Sequence, residues 1–201
     1  MYDLHVHIIG HEDIRKDYST YIDSYLLQAE LLGLEALGFV DHYPYRIKNT
    51  QRIREKVEYL KDHADIPVFY GAEIYVPSNT VIPKYFDYSL AHVRQQYRLE
   101  EAFQMIHQKN IDIIAHPCAY GASCSPCQLE RFKDENVSLE LSEKALTYLP
   151  QWLYEEARRL HIPLTLGSDA HLPQNMGFTQ IRERGLAWTP LDEIPFLEGR
   201  L

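Results

Sequence analysis

The sequence predicts an α/β fold built around a parallel sheet. Short apolar runs alternate along the chain with longer stretches whose apolar residues recur at helical spacing. The length of 201 residues is enough for one domain with a sizeable core. A hydrophobic content of 45% and a charged content of 24% are typical of a globular protein. This rhythm fits both a β/α barrel and an open doubly wound sheet. The dinucleotide-binding version is disfavoured, because no GxGxxG follows the first strand.

Seven apolar runs have the length and composition of strands, and a weaker eighth follows them. They lie at 2–6, 36–40, 67–73, 86–91, 111–115, 137–141 and 163–167, with the weaker run at 185–188. Four amphipathic stretches predict helices at 24–34, 51–63, 98–110 and 149–161. Gly33 lies near the end of the first, and Pro150 lies early in the last. We find no repeat, low-complexity tract or linker, so we expect a single domain over 1–201.

Composition also excludes some classes of protein. The net charge of −9 and the pI of about 5.5 argue against a protein whose main task is to grip nucleic-acid phosphates. No apolar run approaches the roughly 20 residues of a membrane span, and no signal peptide is recognisable, so we expect a cytoplasmic location. There, Cys118, Cys124 and Cys127 are expected to be free thiols. A metal or redox role for the C-x-x-C at 124–127 is the alternative, although three cysteines fall short of a four-ligand structural zinc site.

The ten histidines fall into two groups. Three of them, His63, His107 and His161, lie in the last turn of a predicted helix, where the helix dipole favours a structural histidine. Most of the others lie at or just after the end of a strand, the edge at which parallel α/β folds place their sites. Two acids join this edge, giving the set His5, His7, His11, His42, Glu73, His92, His116, Asp169 and His171. Packed imidazoles are costly without a cation, so the sequence predicts a metal centre.

In this order of motifs the sequence resembles the PHP (polymerase and histidinol phosphatase) family. The motifs are H-x-H after the first strand, D-H after the second, an isolated Glu, two isolated His and G-S-D-A-H. The segments LGLEALGFVDHYPY (32–45) and LGSDAHLPQNMGF (166–178) are most similar to the histidinol-phosphatase branch. GAEIY (71–75) is similar to the bacterial tyrosine-phosphatase branch. The resemblance covers nearly the whole chain. It implies a distorted barrel of about seven β/α units, with three divalent ions at the C-terminal edge of the strands.

The resemblance also implies which residues hold each ion. His5, His7, Glu73 and Asp169 would hold the first, and Glu73 would bridge to a second ion. The second ion would also bind His92 and His116. The third would bind His42, His171 and one residue from the loop after the first strand. We favour His11 for that last position, with Asp13 as the alternative. A nitrogen-rich site favours Zn, Mn or Fe over Mg.

Three divalent ions and two carboxylates would leave a strongly cationic pocket in an acidic protein. Such a pocket favours an anionic substrate, and a metal lowers the pKa of bound water so that it can serve as the nucleophile. The leading hypothesis is a metal-dependent phosphatase acting on a small phosphate monoester, with histidinol phosphate as the first candidate. The alternatives are a phosphotyrosine-protein phosphatase, a nucleotide or nucleic-acid phosphodiesterase, and a non-catalytic metal-binding regulatory domain. We expect no membrane partner, and the sequence does not give the oligomeric state.

A few other residues are candidates for roles near the metals. Asp41, beside His42, could orient a ligand, donate a proton or cap the following loop. The predicted catalytic residues are Asp41, Arg94 and Asp169. The basic residues expected to contact phosphate are Arg46, Lys48, Arg94 and Lys144, and Arg94 is favoured because it follows His92 by two positions.

Overall fold

The structure is a computed structural model that describes residues 1–8, 18–44, 50–76, 80–93, 106, 111–119 and 126–201. Seven parallel strands form one sheet, and their order in the sheet follows their order in the chain. The strands are β1 (Asp3–His7), β2 (Leu37–Tyr43), β3 (Val68–Val76), β4 (Tyr88–Val93), β5 (Ile113–Ala115), β6 (Ser138–Ser142) and β7 (Leu164–Gly167). This architecture confirms the predicted α/β class.

The first and last strands come together and nearly close the sheet into a barrel. The N–H of Asp169 donates to the carbonyl of His5 at 2.9 Å, and the N–H of His7 donates to the carbonyl of Ala170 at 2.8 Å. Val6 also forms a parallel bridge with Ala170. The open doubly wound sheet is therefore excluded, and the barrel that the family resemblance implied is confirmed.

The helices follow the strands on the outside of the barrel. They are α1 (Tyr18–Leu32), α2 (Thr50–His63), α3 (Pro126–Lys133), α4 (Gln151–Arg159) and α5 (Thr179–Glu183). The helices predicted at 51–63 and 149–161 correspond to α2 and α4, and α1 begins at Tyr18 rather than at residue 24. The predicted helix at 98–110 lies outside the described residues except for Ile106, which is helical and buried. Within the described part of the chain, no helix is long and apolar enough to cross a membrane.

The seven main strand predictions are confirmed, with β2 and β3 extending further than predicted. The eighth predicted strand, at 185–188, is wrong, because this segment does not join the sheet. Gly185 adopts a left-handed φ of +63° after α5, and the N–H of Ala187 is taken by the hydroxyl of Tyr154 at 2.8 Å. A side-chain hydroxyl thus accepts the hydrogen bond from a backbone N–H that would have bonded to a neighbouring strand if this segment were in the sheet.

A tyrosine fills the barrel interior beneath the mouth. The Tyr88 side chain is buried on β4, and its hydroxyl donates to the carbonyl of Leu4 at 2.6 Å. Gly38 and Gly71 leave room for this ring, since a Cβ at Gly71 would lie 2.6 Å from a ring carbon of Tyr88. The mouth of the barrel therefore has a packed, rigid floor.

The expectation of free thiols is wrong for Cys118, which is disulfide-bonded. That expectation rested on the predicted cellular location. Whether a disulfide forms also depends on which sulfur atoms the fold brings together, and the location does not determine this. Cys124 and the side chain of Cys127 lie outside the described part of the chain.

Candidate metal centre

Eight of the nine favoured metal ligands lie in the described part of the chain, and all eight lie at the C-terminal ends of the strands. His11, and its alternative Asp13, lie outside the described residues. The eight are His5 and His7 of β1, His42 of β2, Glu73 of β3, His92 of β4, His116 after β5, and Asp169 and His171 after β7. Alternation of side chains along β1 to β4 sends His5, His7, His42, Glu73 and His92 into the barrel mouth. The other three residues reach the mouth from the segments that follow β5 and β7.

Glu73 lies at the centre of the cluster, with its side chain 1% exposed. Oε1 of Glu73 lies 2.9 Å from Nδ1 of His92 and 3.2 Å from Nε2 of His116. Oε2 lies 2.7 Å from Nδ1 of His42 and 3.5 Å from Nε2 of His7. One carboxylate thus faces histidines that come from four different strand ends.

His7 contacts ligand residues on both sides of the barrel mouth. Its Nε2 lies 3.0 Å from Nε2 of His5 and 3.4 Å from Oδ1 of Asp169. Its ring is stacked on His42 with centroids 4.3 Å apart, and the centroid of His171 lies 4.4 Å away. The H-x-H pair therefore connects the Glu73 side of the mouth to the Asp169 side.

These contacts define three groups whose ligand atoms lie within 4.8 Å of one another. The groups are His5, His7 and Glu73; Glu73, His92 and His116; and His7, His42 and His171. The first two lie within the ligand sets expected for the first and second ions. The third brings together His42 and His171, as expected for the third ion, with His7 as their described neighbour.

The carboxylates of the cluster are strongly acidic. Burial by itself would raise the pKa of Glu73, but hydrogen bonds from His116, His42 and His92 hold this pKa well below its usual range. Burial opposes ionisation of Asp169 in the same way, and the hydrogen bond from His7 lowers its pKa. Both groups are therefore anionic at neutral pH, as metal ligands must be.

The histidines differ in their charge. Burial and the neighbouring His5 lower the pKa of His7 to about 3, and burial lowers that of His92. Burial also opposes the charge on His5, but the Glu140 carboxylate outweighs it and raises the pKa of His5 to about 10. Nε2 of His5 and Nε2 of His7 face each other at 3.0 Å, and with His5 protonated and His7 neutral they share one proton. Without that proton, the two nitrogens would each offer a lone pair to a cation.

The donor set fits divalent metal ions. Oε2 of Glu73 is buried, and the histidine nitrogens of His42 and His7 lie 2.7 and 3.5 Å from it. Two atoms that bind one ion at about 2.0–2.1 Å lie about 3–4 Å apart. Several pairs of the cluster have this spacing, such as Nε2 of His7 with Nε2 of His5 at 3.0 Å and with Oε2 of Glu73 at 3.5 Å. Imidazole nitrogens with a few carboxylates suit Zn, Mn or Fe.

Lys144 is the predicted phosphate contact that the structure brings to the mouth. Its Nζ lies 3.0 Å from Oδ2 of Asp169 and 3.5 Å from Nδ1 of His171, and its side chain is 48% exposed. Arg46, Lys48 and Arg94 lie outside the described residues.

Asp41 lies on the opposite face of β2 from His42. Its Oδ2 accepts a short hydrogen bond from the hydroxyl of Tyr70. Burial and the neighbouring Asp41 carboxylate raise the pKa of Tyr70, so the phenol remains the donor. In this structure Asp41 therefore joins β2 to β3.

Two of the three histidines assigned to structural positions, His63 and His161, lie away from the cluster. Nδ1 of His63 donates to the carbonyl of Tyr59 at 2.7 Å, and the two rings stack with centroids 4.0 Å apart. His161 is exposed and follows α4 with a left-handed φ of +58°. His107 lies outside the described residues.

Two residues of the site were missed by sequence reasoning. Glu140 on β6 accepts from Nδ1 of His5 at 2.7 Å and from the N–H of His116 at 2.6 Å. Tyr75, two residues after Glu73, stacks on His42 and packs against His92 with centroids 5.6 and 4.6 Å apart. An acid within the run VSLEL was a signal for Glu140, because a charged residue within a buried strand needs a partner.

Comparison with known proteins shows which solved structures have a similar fold. No protein-family model matches the chain, and no curated protein matches it. Among solved structures, the chain is similar to one from an archaeal ribonuclease P with mature tRNA, at 13% identity and a TM-score of 0.63, covering 94% of this chain and 83% of the other. It is also similar to a structure from a study of YwqE from Bacillus subtilis and CpsB from Streptococcus pneumoniae, which are metal-dependent tyrosine phosphatases. That match has 19% identity and a TM-score of 0.57, covering 92% and 88% of the two chains.

A third similar structure is the adenine deaminase of Arthrobacter aurescens, at 12% identity and a TM-score of 0.54, covering 90% of this chain and 86% of the other. Identities this low establish a shared fold and no more. The chain therefore shares a barrel fold with these proteins, and the comparisons do not single out the histidinol-phosphatase branch.

Proposed function

We propose that this protein is a metal-dependent phosphoesterase that hydrolyses a small phosphate monoester, with histidinol phosphate as the first candidate substrate. The observation that carries the proposal is the buried Glu73 carboxylate, whose two oxygens face histidine nitrogens from β2, β4 and the end of β5. A buried acid with that many nitrogen neighbours is typical of a carboxylate shared between metal ions.

The proposed ligands follow the three groups of the cluster, and we propose three divalent ions. His5, His7, Glu73 and Asp169 would hold the first. Bound divalent ions supply Lewis-acid activation of a water nucleophile and neutralise charge on phosphate oxygens. The chain contributes the fixed geometry, since its ligands come from several strand ends above the packed ring of Tyr88.

Lys144 gives the site a preference for a dianionic group. Its ammonium stands at the mouth beside Asp169 and His171, half exposed and within reach of a bound phosphate. A phosphate monoester offers three peripheral oxygens to the ions and to Lys144, whereas a diester offers two. Charge-assisted hydrogen bonds are about twice as strong as neutral ones, so each additional charged contact favours the monoester.

A phosphotyrosine-protein phosphatase is the second candidate. Tyr75 supports it, because its partly exposed ring lies between His42 and His92 at the mouth, where an aromatic leaving group could pack against it. The fold shared with the YwqE and CpsB tyrosine phosphatases also supports it.

A phosphodiesterase acting on nucleic acid is a weaker alternative, because the net charge of −9 opposes binding of a polyanion. A non-catalytic regulatory domain is also weaker. Loss of catalysis usually removes ligands, and eight of the nine favoured ligands are present together in the described part of the chain.

A panel of phosphorylated metabolites, assayed with Mn, Zn or Fe, tests the proposal. Histidinol phosphate and a phosphotyrosine peptide belong in the same panel, because their relative kcat/KM separates the two candidates. Metal-dependent release of phosphate from a monoester is the expected result. No release from any ester with any of the three metals would overturn the proposal.

A further inference from the structure

Glu140 is a buried acid that none of the predicted metal-ligand sets includes. It lies in the middle of β6 with its side chain 1% exposed. Both of its oxygens are occupied: Oε1 accepts from Nδ1 of His5 at 2.7 Å, and Oε2 accepts from the backbone N–H of His116 at 2.6 Å. A buried carboxylate persists only where its partners compensate for lost hydration, so these two bonds account for its presence.

The two partners of Glu140 belong to different metal-binding groups. His5 lies with His7 and Glu73, whereas His116 lies with Glu73 and His92. Nε2 of His5 and Nε2 of His116 both face Oε1 of Glu73, at 3.8 and 3.2 Å. Each histidine is therefore held on one side by Glu140 and presents its Nε2 to Glu73 on the other.

Two features of the backbone near Glu140, a glycine on β7 and an unusual φ at His116, make room for these contacts. A Cβ at Gly167 of β7 would lie 1.9 Å from Oε1 of Glu140 and 2.7 Å from Cβ of His5. His116 has a φ of +31°, in the left-handed region that non-glycine residues rarely adopt. The bond from its N–H to Glu140 holds this unfavourable turn, which aims the ring into the mouth.

We propose that Glu140 is a positioning residue for two ions at once: it keeps a proton on Nδ1 of His5, leaving Nε2 to bind metal, and it holds the turn that presents His116. A carboxylate only accepts hydrogen bonds, so the nitrogen facing it must carry the proton. Such outer partners fix the tautomer and the orientation of a ligating histidine. This inference rests on the metal centre of the proposed function and assigns a role to a residue outside it.

The test compares Glu140→Gln with Glu143→Gln in the full chain. Glu143 is the matched control, because its carboxylate likewise accepts two hydrogen bonds, in its case from the backbone N–H groups of Gln180 and Ile181 at 2.7 and 3.1 Å. Zn²⁺ and Mn²⁺ are titrated into metal-free protein against a chelating indicator. We expect Glu140→Gln to weaken metal binding by about 10–100-fold, and Glu143→Gln to leave it unchanged.

Three further readouts separate positioning from general destabilisation. Nitrogen-15 NMR of the Zn-loaded wild type should show the His5 proton on Nδ1, and this preference should be lost in Glu140→Gln. The rise in Tm on adding Zn²⁺ should shrink in Glu140→Gln and persist in Glu143→Gln. Gly167→Ala, which displaces the Glu140 carboxylate from a different strand, should weaken metal binding in the same way if Glu140→Gln fails to fold.

Wild-type affinity in Glu140→Gln, or an equal loss in the Glu143 control, would overturn the role of Glu140. Metal binding by the wild type without hydrolysis of any phosphate ester would overturn the proposed function and leave Glu140 in its role. A wild type that binds neither Zn²⁺ nor Mn²⁺ would overturn both.

Discussion

His5 and His7 show how much one spacing can predict. Alternation along β1 sends both rings to the same side, and their Nε2 atoms lie 3.0 Å apart, as expected of two ligands that can share an ion. Glu140 shows where such reasoning stops. The run VSLEL signals a buried acid that needs a partner, but the role of Glu140 depends on β1 and β5, which only the folded barrel brings next to it.

Glu73 should matter more to the site than any single histidine. Glu73→Gln keeps the shape but removes the charge that faces at least three imidazoles, so we expect kcat/KM to fall by more than about a hundredfold with loss of bound metal. His171→Ala removes a ligand from one group only and should have a smaller effect on both. Elemental analysis and steady-state kinetics measure the two quantities. His161→Ala, at an exposed position after α4, should leave turnover unchanged.

A larger loss of metal and activity in His171→Ala than in Glu73→Gln would contradict the proposed sharing of Glu73 between ions.

Lys144 should contribute to substrate binding without holding metal. Lys144→Met keeps an unbranched side chain as far as the ε carbon and removes the ammonium, so we expect kcat/KM for a phosphate monoester to fall by about tenfold or more, or ~1.4 kcal/mol. Metal content should be unchanged. Lys133→Met, at an exposed position in the last turn of α3, is the control. Loss of metal in Lys144→Met would show instead that the ammonium supports Asp169.

The strands were predictable because each is a short apolar run, and seven of them appear where the sequence placed them. Their ends were less predictable, since the polar residues that build the site, such as His42 and His92, continue the strands beyond the apolar run. The false strand at 185–188 is apolar because Leu186 packs into the core, not because it pairs with β7. Apolar composition alone does not distinguish a strand of the sheet from an irregular segment that packs against the core.

The glycines of the barrel interior test how β2, β3 and β4 pack together. In Gly71→Ala the new methyl would meet the Tyr88 ring at 2.6 and 2.7 Å. Because that ring is buried and its hydroxyl is bonded to Leu4, it has little room to move. We expect the free energy of unfolding to fall by about 1–3 kcal/mol, the usual cost of overpacking a core. Chemical denaturation measures it, and an unchanged midpoint would contradict the tight packing of Tyr88.

At the scale of the whole molecule, closure of the barrel creates the site. β1 and β7 are more than 150 residues apart in sequence, yet the bonds from Asp169 and His7 across their junction place the first and last motifs together. The class of fold could be predicted from the alternation of elements alone. Closure of the sheet could not, since an open sheet has the same alternation, and it was the family resemblance that implied a barrel.

Removal of metal should destabilise the whole molecule. Ions present at about 100 times their dissociation constant stabilise the folded state by about 2.7 kcal/mol per site. For a chain of this size each kcal/mol shifts Tm by about 2–4 °C, so we expect a chelator to lower Tm by at least about 5 °C. Differential scanning calorimetry with and without a chelator measures the shift. The same shift in Glu73→Gln would contradict the assignment, because that variant should have little metal to lose.

The most direct test of the account compares kcat/KM for para-nitrophenyl phosphate and bis(para-nitrophenyl) phosphate, using metal-loaded protein and Glu73→Gln as the control. The two substrates share a leaving group and differ in the charge that the mouth must bind. The account predicts that the monoester is preferred by at least about tenfold, or ~1.4 kcal/mol, and that hydrolysis of both is lost in Glu73→Gln and in chelator. Equal rates on the two esters, or hydrolysis that survives removal of metal, would contradict it.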